Sequence, residues 1–153
     1  MPNDKPYKEP LPTEQVPAKA LHHHAEEVLE EQEKHHEEEV DHEKKLEREA
    51  RFQFMTREFT ERDRQHVKDL IGAAVHAGRF EVEVLRFPAE YLDDHGRAIN
   101  NAEPEWQKSL GGYAKSLYDA FEDLMEPLGY RMHARVLGYP RGMIGDIALI
   151  IMW

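Results

Sequence analysis

The residues of this chain best suited to chemistry are histidines and carboxylates set at helical spacing. His35, Glu39 and His42 stand at i, i+4 and i+7, which on a helix places two imidazoles and a carboxylate along one face at the spacing of metal ligands. Glu33 with His36, and Glu39 with His42, also match the Glu-x-x-His spacing of di-iron bundles. A bundle site needs carboxylates from further helices, which this chain does not supply. A segment this rich in Glu and His also produces such spacings by chance, so a solvated histidine-rich face competes with a metal site. His22, His23 and His24 are adjacent and can take up nickel or zinc adventitiously, as any clustered histidines can.

A second group lies in the polar connection Asp93 to Asn101, where Asp94, His95, Arg97, Asn100 and Asn101 could ligate a small molecule or an anion. The competing reading is structural. Asp94 and Gly96 would build a turn, Arg97 would pair with a carboxylate, both asparagines would bond to backbone, and Asn101 could cap a following helix. His133 sits between Arg131 and Arg135, whose charge would disfavour its protonated form, and it would face Glu81 or Glu83. Cysteine is absent, which removes disulfides, thiolate nucleophiles and thiolate zinc sites. No phosphate-binding glycine loop or hydrolase elbow occurs, and spacing identifies no activated nucleophile or partnered base. The sequence therefore leans away from an enzyme and calls for no cofactor.

Composition divides the chain unevenly. A charged fraction of 33% is too polar for a chain that is globular throughout, so the apolar residues must be concentrated in part of it. A formal net charge of −11 repels phosphate backbones and anionic lipid, which argues against nucleic-acid and membrane partners and leaves basic partners open. No signal-peptide core and no long apolar run occurs, so a cytoplasmic location is expected.

Three segments follow. Residues 1–17 carry prolines at 2, 6, 10, 12 and 17 and read as a disordered tail. Residues 18–58 form an acidic, His/Glu-rich helical arm, whose stretch from Ala18 to about Ala50 has no proline or glycine and would be roughly 50 Å long at 1.5 Å per residue. Its apolar positions are Leu21, Ala25, Val28, Leu29, Val40, Leu46 and Ala50, a weak seam interrupted by Gln32, His35, His36, Glu39 and His42. Like charges at Glu26/Glu30 and Glu39/Glu43 weaken it further.

Residues 59–153 form the compact α+β domain. Thr60 and Asp63 predict a capping box opening a helix that ends near Gly78. Phe80 to Phe87 alternates as a strand, with Phe80, Val82 and Val84 on one side and Glu81, Glu83 and Leu85 on the other. Pro104 is expected to open a helix through Trp106, Leu110, Tyr113, Leu117, Phe121, Leu124 and Leu128. Gly111 and Gly112 inside it weaken it, which implies that another backbone passes close. Tyr130 to Leu137 alternates again and forms a hairpin with Ile147 to Trp153, whose residues are all apolar.

A strand apolar on both faces belongs at the centre, so the expected sheet is three-stranded with order 1-3-2, a split βαβ with helices packed on it. The stripe Ala148, Ile150 and Met152 then faces away from the Pro104 helix, and either the Thr60 helix covers it or a partner does. The functional expectation is a non-enzymatic assembly or protein–protein interaction protein of structural type. Its arm, through Leu21, Val28, Leu29, Val40 and Leu46, would self-associate as a coiled coil or grip a basic partner, making the protein a homo-oligomer or one bound to a protein partner. The alternative is a small-ligand or metal-binding module using the 93–101 loop or His35, Glu39 and His42.

Overall fold

The computed structural model describes residues 16–153, so the proline-rich tail, apart from Val16 and Pro17, lies outside the described residues. The chain divides into two units, Met1–Glu47 and Arg48–Trp153. Helix α1, Ala18–Thr56, begins in the first and ends in the second. It has 39 residues, and none of them is buried. Strong helix formers and the lack of glycine and proline make most of it helical without a core, and only its end, at Phe54, packs on the domain.

The second unit holds the end of α1 and the α+β elements that follow it. After a short extended link, α2 runs from Glu61 to His76. The expected capping box opens it: Thr60 N–H donates to Asp63 Oδ2 at 2.9 Å, and Asp63 N–H donates to Thr60 Oγ1 at 3.4 Å. Strand β1 spans Glu81–Pro88, the short α3 Arg97–Asn100, α4 Gly112–Leu124, β2 Arg131–Val136 and β3 Asp146–Met152. The sheet order is β1-β3-β2, with both outer strands antiparallel to β3. The central placement drawn from the apolar composition of β3 holds: Ile147, Ala148 and Leu149 are 0% exposed, Ile150 4% and Ile151 1%. Burial of each isoleucine contributes on the order of 1.5–3 kcal/mol.

One face of the sheet carries the helices. Ile147 and Leu149 pack with Phe87, Leu110, Tyr113 and Leu117, while Ile151 packs with Val67 of α2 and Phe121 of α4. Both α2 and α4 therefore serve the same face. Of the two covers expected for Ala148, Ile150 and Met152, this removes the Thr60 helix. In register beside those residues lie Glu81, Glu83 and Arg86 on one side and Arg131, His133 and Arg135 on the other. Ala148 and Ile150 are nonetheless 0% and 4% exposed, which fits long charged neighbours that lay their stems along apolar surface and keep their heads in solvent.

Two local departures have physical causes. The register slips between Glu83 and Leu85, a bulge at Val84 that turns Leu85 onto the helix face and Arg86 onto the other. The expected helix from Pro104 is interrupted: Trp106–Ser109 is a 3-10 turn, Leu110 and Gly111 are extended, and α4 starts only at Gly112. The cause is the close approach that the glycine pair implied. A Cβ on Gly112 would lie 2.7 Å from both Met55 Cα and Phe54 O, so the end of α1 passes against this turn.

Candidate functional site

In the first unit, the candidate site is the surface of α1 itself. Val28, Leu29 and Leu46 are 39%, 56% and 50% exposed, while Leu21 and Val40 are half-buried within the helix's own side chains. Its histidines pair locally along the helix: His22 with Glu26 at 3.1 Å, His23 with Glu27 at 3.3 Å, and His35 with Glu39 at 3.1 Å. Thus the structure joins His35 and Glu39 but leaves His42 outside that pair. Among the described residues, no group of three or more metal-capable side chains converges.

In the second unit, the polar loop is organised around Asp94. Its carboxylate accepts from Gly96 N–H and Ala98 N–H, both at 2.9 Å, which is the turn-building role anticipated for it. Asn100 Oδ1 accepts from the Tyr139 hydroxyl at 2.6 Å, a side-chain bond instead of the expected backbone one. Asn101 ends α3 rather than capping a helix at Pro104. His95 and Arg97 are exposed, and among the described residues Arg97 makes no ion pair. Asp94 and Asn100 are thus engaged in hydrogen bonds within the domain, while His95 and Arg97 are open to solvent.

The end of α1 anchors an aromatic cluster. The Phe54 ring lies 5.0 Å from Phe87, 5.1 Å from Tyr91 and 6.4 Å from Tyr113, and the Arg57 guanidinium stands 4.1 Å above the Tyr113 ring. Burial, aided by the nearby Asp63 carboxylate and opposed by Arg57, pushes the Tyr113 hydroxyl up to about 12. Burial also raises Asp63, but hydrogen bonds from the Thr60 backbone and side chain, with the charge of Arg57, outweigh it and leave the carboxyl below its usual range. These groups lock the junction together, and Arg57, Thr60 and Asp63 also line an open polar depression with His66.

His133 lies on the polar sheet face, 3.4 Å from Arg135, which also reaches Glu81 at 3.7 Å. Burial, then Arg135, lowers its pKa, with Glu81 opposing. Ala148 and Ile150, being buried already, offer little apolar surface to a partner, and Met152 is half-buried.

One feature escaped the sequence reading: a cleft of about 340 Å³ between α2 and α4. Phe121 and Ile151 form its floor, Leu124 and Leu128 its lip, and Arg64 and Lys68 stand at its α2 edge. The available signal was two cations at i,i+4 beside the apolar positions Val67 and Ile71. Among the described residues, no helix is long and apolar enough to cross a membrane. No family model, curated protein or solved structure matches the chain.

Proposed function

We propose that this protein is a non-enzymatic assembly protein whose arm, α1, pairs antiparallel with α1 of a second copy. The observation that carries the reading is a helix of 39 residues with none buried, bearing apolar side chains at mirrored positions. Pairing residue i with residue 75 − i sets Ala25 against Ala50, Leu29 against Leu46, Gln32 against Glu43 and His36 against Glu39. These eight positions follow the alternating four-three spacing of one seam.

Charge favours this direction over the parallel one. Residues 26–43 hold ten carboxylates and one lysine, whereas 44–57 hold five cations and two carboxylates. A parallel pair would lay the acidic block on itself along its whole length. The antiparallel pair brings Lys44, Lys45 and Arg48 of each copy alongside Glu27, Glu30 and Glu31 of the other, which offsets part of the repulsion. At the middle, where acids still face acids, the seam sets His36 against Glu39.

The test is light scattering of the full chain at tens of micromolar. A mass of twice 17.9 kDa is expected. Leu29→Glu alone and Leu46→Lys alone should each give monomer. The double variant should restore the dimer, because in this register each new glutamate meets a new lysine across the seam. A monomeric wild type would end the proposal. A dimeric wild type that the double variant fails to restore would retain self-association and eliminate the register.

A further inference from the structure

The cleft between α2 and α4 belongs to no part of the assembly reading, and its chemistry is of a different kind. We propose that it binds a medium-chain carboxylate, with the hydrocarbon on Phe121, Leu124 and Ile151 and the carboxylate at Arg64 and Lys68.

The cleft is apolar where it is deep. Phe121 and Ile151 at its floor are 5% and 1% exposed, yet Leu124 and Leu128 at its lip are 44% and 75% exposed. Leaving such a lip in water is unfavourable by roughly 25 cal/mol for every Å² of apolar surface, so an occupant that covers it gains that free energy. On the α2 side the wall is open at Gly72, where a Cβ would meet nothing within 4 Å. The space there is available to a ligand.

The cations define the head group. Arg64 and Lys68 are one turn apart on the face of α2 that lines the cleft. Among the described residues Arg64 forms an ion pair only with Glu61, at 3.5 Å, and Lys68 forms none. In a chain of net charge −11, two under-used cations at the mouth of an apolar cleft are complementary to one anionic group on an apolar body.

Size and overall charge select among such amphiphiles. A volume of about 340 Å³ is at the small end of the roughly 300–1,000 Å³ typical of small-molecule sites, which suits a short single chain. A docked protein needs roughly 800 Å² of surface from each partner, far more than this cleft presents. An anionic bilayer would be repelled by the net charge before the cleft could reach it. A free carboxylate carries one charge and meets the two cations, where it competes only with Glu61 for Arg64.

The experiment is calorimetric titration of the full chain with decanoate, kept below its micelle concentration. The expected result is saturable binding at one decanoate per chain. Lys68→Glu, a surface change, should leave the melting curve in place and weaken binding about tenfold or more, since a hydrogen bond to a charged group is worth about 1.5–3 kcal/mol. Ala120→Phe, which fills the cleft, should abolish binding; its thermal unfolding checks that the fold survives. Decanol should bind at least about tenfold more weakly than decanoate. Absence of saturation overturns the proposal, as does decanoate binding that neither variant weakens, or decanol binding as tightly. Co-sedimentation with anionic phosphatidylglycerol vesicles, abolished by Lys68→Glu, would assign the cations to a membrane surface and overturn it too.

Discussion

Replacing Gly112 with alanine tests where the arm joins the domain. Gly112 has φ +55°, a left-handed conformation that costs an alanine about 1–2 kcal/mol. The added methyl would also stand 2.7 Å from Met55 Cα and from Phe54 O, and both are backbone atoms that cannot rotate away. Relief requires the end of α1 to move outward, drawing the Phe54 ring from its contacts with Phe87 and Tyr91 at 5.0 and 5.1 Å. Complete loss of a buried phenylalanine costs about 3–5 kcal/mol, and overpacking with partial displacement about 1–3 kcal/mol. The expected destabilisation is the sum of strain and displacement, about 2–5 kcal/mol. Two other glycines calibrate it. Gly129 has φ +95° with nothing within 4 Å of a Cβ, so Gly129→Ala should show the conformational cost alone, about 1–2 kcal/mol. Gly72 lies inside α2 with open space above it, so Gly72→Ala should stabilise by about 0.5–1 kcal/mol. Urea denaturation followed by circular dichroism measures all three. If Gly112→Ala proves no more harmful than Gly129→Ala, α1 does not abut α4 and the placement of Phe54 in the aromatic cluster is wrong.

Two further outcomes follow from the core. A chain ending at Leu149 loses Ile150 and Ile151, 4% and 1% exposed, together about 3–6 kcal/mol of burial out of a typical total of about 5–15 kcal/mol. It should lose cooperative thermal unfolding, and an unchanged melting curve would contradict the central position of β3. Tyr113 should govern alkaline unfolding: its hydroxyl stays protonated in the folded chain up to about 12, whereas an unfolded tyrosine titrates near 10. The unfolded state then binds fewer protons between about pH 10 and about 12, so stability is fully present below that window and falls within it. Tyr113→Phe should flatten this decline in urea midpoints, and parallel declines for the two proteins would reject the assignment.

What could be read from the residues depended on whether the deciding interaction was local. The capping box of Thr60 and Asp63 and the turn built on Asp94 are complete within a few residues, and both formed as their spacing implied. The central strand was legible for another reason: seven residues with no polar face can only be buried on both sides. The glycine pair announced a close approach, although only the fold reveals that Phe54 and Met55 supply the approaching backbone. The bulge at Val84 left one mark in the sequence, an apolar Leu85 on the side of Glu81 and Glu83, and only pairing with β3 shows the slip. The break before α4 was hidden because Trp106, Leu110 and Tyr113 keep three-four spacing whether the chain is one helix or a 3-10 turn followed by a reset. The hydrogen bond from Tyr139 to Asn100 joins residues 39 apart and carries no sequence signature. The cleft was missed because its walls come from two helices, and an amphipathic stripe does not say how far apart two helices will rest on a sheet.

The same distinction bears on the arm. Helical proteins usually stabilise their helices by packing an apolar stripe, and isolated helices depend on propensity and neighbouring side chains. α1 has propensity throughout, and its pairs such as His35 with Glu39 at 3.1 Å are local and exposed, each worth only a few tenths of a kcal/mol. Against these stand ten carboxylates in residues 26–43, which repel one another in any extended or helical form but most densely in the helix. A segment composed in this way becomes more helical whenever positive charge is brought alongside it. Under the antiparallel reading, that charge comes from residues 44–51 of a second copy, so the repulsion that weakens the single helix is also what makes pairing favourable. The mixed seam, with Leu29 and Leu46 toward its ends and His36 and Glu39 at its centre, then has a physical purpose: the leucines supply attraction, while the polar centre disfavours slipped registers that would bury charge against leucine.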